Sequence, residues 1–476
     1  MELGLRSWTP GKYLCAATLL AAFALTFTSL GSRPFWDYDE AMYANIIHDT
    51  VLSGNIAAPV FYGAPFFQKP PLYFWVAIGA DKVFGTPEFS YRVPAALAAV
   101  ACVLLTMLIT YEITGSALIA GLAGLVLLTT APFMEAGRQV RLDVPATAGV
   151  LFSVWCFFKA RKDPRWLLGI AVGAAFGIFF KSVIGLLSVP LIGMWSLFEL
   201  DFTWLGRWQL WAGGLLGAGL MAPWLVYISF LYGHAFWDEF IFNRIVNSVV
   251  DNLISSSVTS LDYFGFLFTY ALPWSPLVLL LLAWLITRYA RHTRLERDAL
   301  IFTLSALTIT TIFFVSTTKL FYYLTPIYPF AAIAIALGGF SLYTRYERSA
   351  RSVLLAATVA LFLGAGINTL FFSFHWYRPL AINDIISSDE QRAGNRVAAL
   401  DPSLPLYVYQ YEYLDTLRYY SGRPVQFMKD DAVLDSPFFL AVSTDFVTNH
   451  SFDPELAAHL EVLFKGVDLT LYKFEP

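Results

Sequence analysis

Apolar stretches recur along most of this chain, and they constrain its fold more than any other feature. A helix needs about 20 apolar residues to cross roughly 30 Å of hydrocarbon. Stretches approaching or exceeding that length lie near residues 13–31, 91–111, 116–134, 143–158, 166–180, 182–199, 210–231, 265–287, 299–315, 321–343 and 351–373. The pattern predicts a polytopic α-helical membrane protein with about eleven spans.

Composition agrees with a membrane protein and excludes other classes. Hydrophobic residues make up 57% of the 476 residues and charged residues only 14%, against about 25% charged in soluble proteins. The net charge of −4 gives no basic excess that would favour a nucleic acid partner. Cys15, Cys102 and Cys156 lie inside apolar runs, which favours small buried side chains over a disulfide or a metal site.

Basic clusters test the topology, because cytoplasmic loops concentrate lysine and arginine. The clusters "KARKDPR" (159–165), "RYARHTRLER" (288–297) and "RYERSAR" (345–351) all fall on the inside if the spans alternate from an uncleaved N-terminal anchor. This parity requires that Lys181 divide 166–199 into two helices. We therefore predict Lys181 at an outer turn.

Two segments lie outside the pattern of spans. Residues 32–90 form a long first outer loop, in which 71–85 is predicted to be a helix lying in the membrane interface. Residues 375–476 mix helical and alternating strand patterns and contain no cysteine. We predict a membrane domain over 1–374 and a small soluble α/β domain over 375–476.

Ionisable residues outside the cytoplasmic clusters map to the outer ends of the predicted helices. Because they come from six separate stretches, a helical bundle would gather them over one cavity. Lysine and arginine suit a phosphate, and a carboxylate held among them can accept a proton from a hydroxyl. The set predicts group transfer from a lipid phosphate carrier. Its members are Asp37, Asp39, Glu40, Lys69, Arg138, Arg141, Asp143, Lys181, Glu239, Arg244 and Lys319.

Several of these residues also have a structural interpretation. Asp39 and Glu40 can cap the helix that follows them, and lysines at helix ends such as Lys181 and Lys319 can extend to lipid headgroups. Arg138 or Arg141 can form a structural ion pair with Asp143. His48, His234 and His375 show no spacing typical of a metal site.

Six motifs, in this order, resemble the membrane glycosyltransferases of the GT-C class. They are "DYDEAMYA", "QKPPLYFW", "RLDVPAT", "KSVIGLLSVP", "PWSPLVLL" and "STTKLFYYLTPIYP". The similar branch includes lipid A aminoarabinose transferases and enzymes like the dolichyl-phosphate-mannose-protein mannosyltransferases. The tail "LYVYQYEYLDTLRYYSGRPV" is similar to a segment of the soluble outer domain of that branch. The resemblance implies a GT-C fold with about 11–13 transmembrane helices.

The resemblance also implies roles for individual residues. The expected catalytic residues are Asp39, Glu40 and Asp143, with Asp39 as the catalytic carboxylate and Glu40 in support. The expected substrate-binding residues are Lys69, Arg141, Lys181, Arg244 and Lys319. The aminoarabinose enzymes usually carry an acidic residue where this chain has Gln68, and Lys-Gly-Pro where it has "KSV" at 181–183. The sugar is therefore left open.

The implied reaction moves one sugar, with inversion, from a polyprenyl phosphate such as undecaprenyl phosphate to lipid A, another glycan or a protein. The resemblance places the protein in the bacterial inner membrane, with its active site facing the periplasm. We expect a monomer that contacts membrane lipids and no nucleic acid. No cofactor or metal is expected to be obligatory, with a divalent cation held by the acidic residues as the alternative.

Three other functions compete with this hypothesis. A protein O-mannosyltransferase would share the donor and differ in its acceptor. A polyprenyl-lipid transporter or flippase would carry broken helices and charges near the middle of the membrane, whereas the charges here lie at helix ends. A non-catalytic assembly protein would use residues 375–476 as a receptor.

Overall fold

The computed structural model describes residues 9–36, 39–241, 260–287, 293–315, 321–345, 348–373, 378–411, 414–428, 436–450 and 452–476. The chain forms two compact units. The helical unit comprises 1–28, 67–73 and 93–374, and the sheet unit comprises 29–66, 74–92 and 375–476. Most of the first outer loop thus belongs to the same unit as the C-terminal residues. That residues 375–476 fold on their own stays a prediction.

Helices dominate the described residues and are numbered along the chain. The first nine are α1 (Pro10–Phe27), α2 (Asp39–Ser53), α3 (Leu72–Phe84), α4 (Pro87–Ser90), α5 (Val93–Thr114), α6 (Ala117–Leu128), α7 (Ala131–Ala136), α8 (Asp143–Ala160) and α9 (Leu167–Gly185). The next eight are α10 (Ser188–Glu199), α11 (Trp208–Tyr232), α12 (His234–Trp237), α13 (Ser260–Tyr270), α14 (Trp274–Thr287), α15 (Arg294–Val315), α16 (Ile327–Arg345) and α17 (Arg348–Ser373). The last four are α18 (Arg378–Ala398), α19 (Asp415–Ser421), α20 (Thr444–Asn449) and α21 (Pro454–Ala457).

Every predicted span coincides with one or more of these helices. Within the described residues, seven helices are long and apolar enough to cross a membrane: Pro10–Phe27, Pro87–Thr114, Pro164–Ser182, Trp208–Tyr232, Arg294–Phe314, Ile327–Arg345 and Arg351–Phe371. The predicted span 265–287 is a pair of helices, Tyr263–Tyr270 and Trp274–Thr287, bent by 101°. The stretches near 116–134, 143–158 and 182–199 coincide with α6, α8 and α10, which are shorter or less apolar.

Small residues let α8 and α9 pack closely in the helical unit. A Cβ added to Gly149 would lie 2.6 Å from the backbone nitrogen of Gly177, so no larger residue fits at this crossing. The Ser153 hydroxyl donates a hydrogen bond to the Ile170 carbonyl at 2.8 Å across the same interface. Close approach of backbones through glycine and serine is a common way to join membrane helices.

The sheet unit contains the predicted α/β fold. Its strands are β1 (Val60–Phe61), β2 (Ala64–Pro65), β3 (Leu406–Tyr409), β4 (Val425–Phe427), β5 (Phe438–Ser443), β6 (Leu460–Lys465) and β7 (Leu469–Phe474). Strands β1 and β2 form a small antiparallel hairpin, and the others form one sheet in the order β4-β3-β5-β7-β6. Strand β3 is parallel to β4 and β5, whereas β7 is antiparallel to β5 and β6.

The alternation of strand side chains builds a core on each face of this sheet. Phe439 and Ala441 of β5 pack with Val397 of α18 on one face. Phe438 and Leu440 pack on the other face, in the cluster that Phe446 and other partly buried side chains cover. Because successive strand residues point to opposite faces, one apolar strand can serve both cores, as "FFLAVS" does here.

Candidate active site

Asp143 and Lys181 form a buried ion pair at one end of the α8–α9 helix pair. The Lys181 Nζ lies 2.7 and 2.8 Å from the two carboxylate oxygens of Asp143. Asp143 is only 1% exposed and Lys181 only 7%. Burying two charges costs several kcal/mol per ion, which the pairing offsets only when the geometry is good. Two predicted site residues, 38 positions apart, are thus brought into direct contact.

A break in the helix places the Lys181 side chain. Its backbone is extended (φ −154°, ψ 94°) inside α9, which is otherwise helical. The chain then turns back on itself, so that a Cβ on Gly185 would lie 2.1 Å from the nitrogen of Ile178. The predicted break at Lys181 is present, and Gly185 is what allows the return of the chain to be so tight.

We expect Gly185→Ala to disturb this turn and, with it, the placement of Lys181. The added methyl group meets backbone atoms that cannot move independently, and overpacking of this kind costs about 1–3 kcal/mol. Thermal unfolding in detergent should show the loss. Gly193→Ala in α10 is the matched control, because a Cβ there has no neighbour within 4 Å. Equal stability of the two variants would contradict the role given to Gly185.

Arg141 lies beside the ion pair and is held on two sides. Its Nε donates a hydrogen bond to Gln139 Oε1 at 2.9 Å, and its guanidinium stacks on the Tyr322 ring at 3.8 Å. The Lys181 ammonium lies 4.5 Å from the centre of the Tyr323 ring. The face of an aromatic ring attracts a cationic group, and stacking on it fixes the orientation of the basic side chain. The cluster therefore presents two basic side chains and one acidic one among aromatic rings.

Tyr322 and Tyr323 were not predicted as site residues, although they stand in the "STTKLFYYLTPIYP" motif. Both lie in a short 3₁₀ helix, Phe321–Leu324. A pair of tyrosines at a predicted helix end is typical of an interfacial belt, and the sequence analysis interpreted them in that way. Their contacts with Arg141 and Lys181 were therefore not predicted. Their position close to Lys319, a predicted substrate-binding residue, was the sequence signal that could have identified them as site residues.

Arg138 has a structural role, distinct from that of Arg141. Its guanidinium donates to the carbonyls of Leu25, Thr26 and Thr28, the last two at 3.1 and 2.9 Å. These carbonyls end α1, where the helix dipole favours a cation. Asp143, which the sequence also allowed as a structural partner of Arg138 or Arg141, forms an ion pair with Lys181.

In the sheet unit, Asp39 and Glu40 begin α2 and differ in their surroundings. Asp39 is half-buried, whereas Glu40 is 1% exposed and forms a two-point ion pair with Arg92, at 2.8 and 3.1 Å. Arg92 also donates to the carbonyls of Leu30, Arg33 and Pro34. Glu40 in addition accepts the Trp36 backbone N–H at 3.0 Å. This geometry favours a role for Glu40 in holding the loop before α2.

Arg92 is a functional candidate that the sequence interpretation missed. It opens an apolar span in "SYRVPAAL", and a charge at that position needs a partner. Because Glu40 lies 52 residues away, the pairing follows only from the fold of the loop.

Of the remaining predicted residues considered next, the structure describes Lys69 and does not describe Asp37, Arg244 or Lys319. Lys69 is half-buried in the helical unit, two residues after Phe67, whose ring packs against Tyr232 and Phe236 at 5.0 and 5.4 Å. Arg244 and Lys319, like Asp37, lie outside the described residues. In the part of the chain that is described, no group of three or more His, Cys, Asp or Glu side chains is arranged to hold a metal ion.

Sequence comparisons place this chain beside known membrane glycosyltransferases. Residues 15–239 match the family model of the dolichyl-phosphate-mannose-protein mannosyltransferases. The undecaprenyl phosphate-α-4-amino-4-deoxy-L-arabinose arabinosyl transferase 2 of Pseudomonas fluorescens is 27% identical over 268 residues, which cover 55% of this chain and 46% of that protein. The transferase of the same name from Proteus mirabilis is 30% identical over 47% of this chain and 43% of its own length. The chain thus aligns with about half the length of these curated relatives.

Structure comparison extends the likeness to nearly the whole chain. The crystal structure of ArnT from Cupriavidus metallidurans bound to undecaprenyl phosphate matches with a TM-score of 0.71 and 16% identity, over 98% of each chain. The apo structure of the same protein matches with a TM-score of 0.72 and 17% identity, again over 98% of each chain. The predicted fold class and resemblance are therefore confirmed: this chain is an integral membrane protein of the GT-C fold, similar in sequence to the aminoarabinose transferases and, over residues 15–239, to the protein mannosyltransferase family.

Proposed function

We propose that this protein is an inverting glycosyltransferase that moves a single sugar from a polyprenyl phosphate carrier, such as undecaprenyl phosphate, to an acceptor in the cell envelope. Its relatives in Pseudomonas and Proteus are named for transfer from undecaprenyl phosphate-linked aminoarabinose. The fold match over 98% of the chain includes a protein crystallised with undecaprenyl phosphate. Lipid A or another glycan or lipid is the proposed acceptor.

The observation that carries the proposal is the buried cluster of Arg141, Asp143 and Lys181. An ammonium and a guanidinium group held within a membrane unit offset the charge of a phosphate and stabilise it as it leaves. The Asp143 carboxylate is the counter-charge of Lys181 in a site where an unpaired ammonium group would be costly. Lys69, Arg244 and Lys319 are proposed to complete the phosphate-binding set.

Asp39 is the proposed catalytic carboxylate. With a hydroxyl acceptor it removes the proton as the acceptor oxygen attacks the anomeric carbon, and the carrier phosphate leaves with the electrons of the broken C–O bond. With an acceptor that is already an anionic phosphate, Asp39 instead orients the acceptor or stabilises positive charge at the anomeric carbon. Glu40 supports Asp39 by holding the loop through Arg92.

The proposed setting is the bacterial inner membrane, with the active site facing the periplasm and the protein acting as a monomer. The carrier phosphate is its own leaving group, so neither a nucleotide nor a cytoplasmic energy source is needed at that face. The proposed chemistry needs no metal ion. Full activity in excess chelator is the expected result, and activity that only Mg²⁺ or Mn²⁺ restores would overturn this part.

The test compares envelope lipids and glycans by mass spectrometry in cells with and without the protein. We expect one product to differ by the mass of a single sugar, and purified protein in liposomes to make it from a polyprenyl phosphate-linked donor. If no donor sugar is transferred to any envelope fraction, the proposal is wrong.

A protein hydroxyl is the second candidate acceptor, and the family match over residues 15–239 favours it. The same experiment separates the two candidates. Loss of a sugar from a glycolipid supports the first, whereas loss from a secreted or membrane protein supports an O-mannosyltransferase-like activity.

A further inference from the structure

We propose that α19, the segment "DTLRYYS", positions the catalytic carboxylate of Asp39 by holding the chain on both sides of it. Thr416, Arg418 and Tyr420 are then positioning residues for sugar transfer, and α19 belongs to the catalytic apparatus. This inference rests on the proposed function and deepens it. All the contacts involved lie within the sheet unit.

Before Asp39, α19 binds both backbone polar groups of Phe35. The Thr416 hydroxyl donates to the Phe35 carbonyl at 3.1 Å, and the Phe35 N–H donates to the Tyr420 hydroxyl at 3.2 Å. The Tyr420 hydroxyl in turn donates a hydrogen bond to the Glu88 carboxylate at 3.0 Å. The main chain of the loop that leads into α2 is thus held four residues before Asp39 by two side chains of α19.

The Phe35 side chain is fixed at the same place. It is fully buried, with its ring edge-on to Tyr419 at 5.0 Å and stacked with Tyr91 at 5.7 Å. The guanidinium of Arg92, which also holds Glu40, lies 5.2 Å from the same ring. The contacts between α19 and Phe35 are therefore continuous with the Glu40–Arg92 ion pair, which lies next to Asp39 in the chain.

After Asp39, α19 binds α2 itself. Asn45 Nδ2 donates to the Asp415 carbonyl at 2.8 Å, and Arg418 forms an ion pair with Asp49 at 2.7 Å. The Arg418 guanidinium also stacks on Tyr62, at the β1–β2 turn, at 3.9 Å. These contacts tie α2 to α19 at Asn45 and Asp49, which restrains the position of the first residue of the helix, Asp39.

The charge around Asp415 agrees with its place near the start of α2. Burial raises the pKa of the Asp415 carboxyl to about 6, against the lowering effect of Arg418 and with smaller rises caused by Asp39 and Asp49. The carboxylate of Asp39 thus acts on a group of α19, which places α19 within electrostatic range of the proposed base.

These contacts matter for rate because catalytic geometry is strict. A displacement of about 1 Å at a reacting group costs on the order of 100-fold in rate. A separate receptor domain would have no need to bind the main chain of the loop that carries the base. The tail segment that resembles the outer domains of the similar transferases thereby has a physical role in this protein, which is to position Asp39.

The test uses Thr416→Val with Tyr420→Phe, which keeps both shapes and removes the three hydrogen bonds of the two hydroxyls. We expect kcat for sugar transfer by purified protein in liposomes to fall about 10-fold to 100-fold, with KM for the polyprenyl phosphate donor changed by less than about 3-fold. Thr416→Ser keeps the hydroxyl, and beside Tyr420→Phe it should restore a large part of kcat.

Arg423→Met is the matched control, because the hydrogen bonds of the Arg423 guanidinium hold the C-terminal residues to one another. This guanidinium donates to the carbonyls of Val397, Leu400, Asp401 and Leu404, at 2.7 to 3.0 Å, and each of these carbonyls belongs to the C-terminal residues. We expect this variant to lose thermal stability and to keep kcat at temperatures below its unfolding transition.

The inference is overturned if the double variant keeps its kcat, or if Arg423→Met lowers kcat as much. The proposed function survives either result, provided that the wild-type protein transfers sugar and Asp39→Asn does not. If the wild-type protein transfers no sugar in the same liposomes, the proposed function fails, and the inference fails with it.

Discussion

Asp39→Asn is expected to lower sugar transfer to a hydroxyl acceptor by about 100-fold to 10,000-fold, the usual contribution of a general base. The amide has nearly the same shape as the carboxylate but cannot accept the proton. Glu40 cannot replace Asp39 as the base, because both of its carboxylate oxygens are engaged by Arg92. Transfer by purified protein in liposomes, measured at saturating donor, gives the effect on kcat.

Asp37→Asn is the matched control for this prediction. It makes the same chemical change two positions earlier in the chain, at a residue of the first outer loop to which the resemblance assigns no role. We expect near wild-type transfer from it and equal membrane insertion of both variants. Wild-type kcat for Asp39→Asn would remove Asp39 from catalysis. An equal loss in both variants would point to a general effect of negative charge in this loop.

The nature of the acceptor changes the size of the effect. An acceptor that is already an anionic phosphate needs no base, so its transfer should depend on Asp39 less than transfer to a hydroxyl does. Comparing Asp39→Asn on the two acceptor types therefore distinguishes proton removal from orientation or charge stabilisation. An equal loss on both types would favour the latter.

The sequence predicted the fold well because a membrane imposes simple rules. Length and hydropathy locate helices that must satisfy their own backbone groups, and each predicted span coincides with helical residues. The break at Lys181 followed from the distribution of charge between loops alone. The bend of 101° before Trp274 was not predicted, because apolar composition continues through it.

Site residues were predicted better as a set than as pairs. Asp143 and Lys181 were both candidates, but their contact depends on the crossing of α8 and α9 at Gly149 and on the turn at Gly185. No pattern of charge spacing encodes such a crossing. Arg92 illustrates the same limit, since its partner Glu40 is reached only when the first loop folds. Ion pairs between residues far apart in the sequence depend on how the helices pack. In a single sequence, the small residues at helix crossings are the main sign of that packing.

Lys181→Met combined with Asp143→Asn is expected to abolish sugar transfer while leaving the protein about as stable as the wild type. Each single change leaves one buried charge without its counter-charge, at a cost of about 3–5 kcal/mol. The double change removes both charges, and buried pairs replaced in this way are often neutral for stability. Thermal unfolding in detergent should therefore show two destabilised single variants and a recovered double variant.

Transfer activity then separates the two possible roles of the pair. If Lys181 and Asp143 only stabilise the α8–α9 packing, the recovered double variant should also recover its activity. If Lys181 binds the carrier phosphate, activity stays lost even though stability returns. We expect the second result, with a kcat/KM loss of at least about 100-fold, of the size found when one donor to a developing charge is removed.

The Glu296–Arg345 pair provides the matched control for this experiment. It joins α15 and α16 of the same helical unit at 2.6 Å, and Glu296 is fully buried. Arg345→Met alone should destabilise the protein, because it leaves the buried Glu296 carboxylate without its counter-charge, and adding Glu296→Gln should restore stability. Glu296→Gln alone should cost less, since the Arg345 side chain that remains is 30% exposed. The activity of the double variant should stay near that of the wild type, since neither residue belongs to the Arg141, Asp143 and Lys181 cluster. If this pair also abolished transfer, the loss at Lys181 would reflect the general need for buried ion pairs in the unit, and the phosphate-binding role would be wrong.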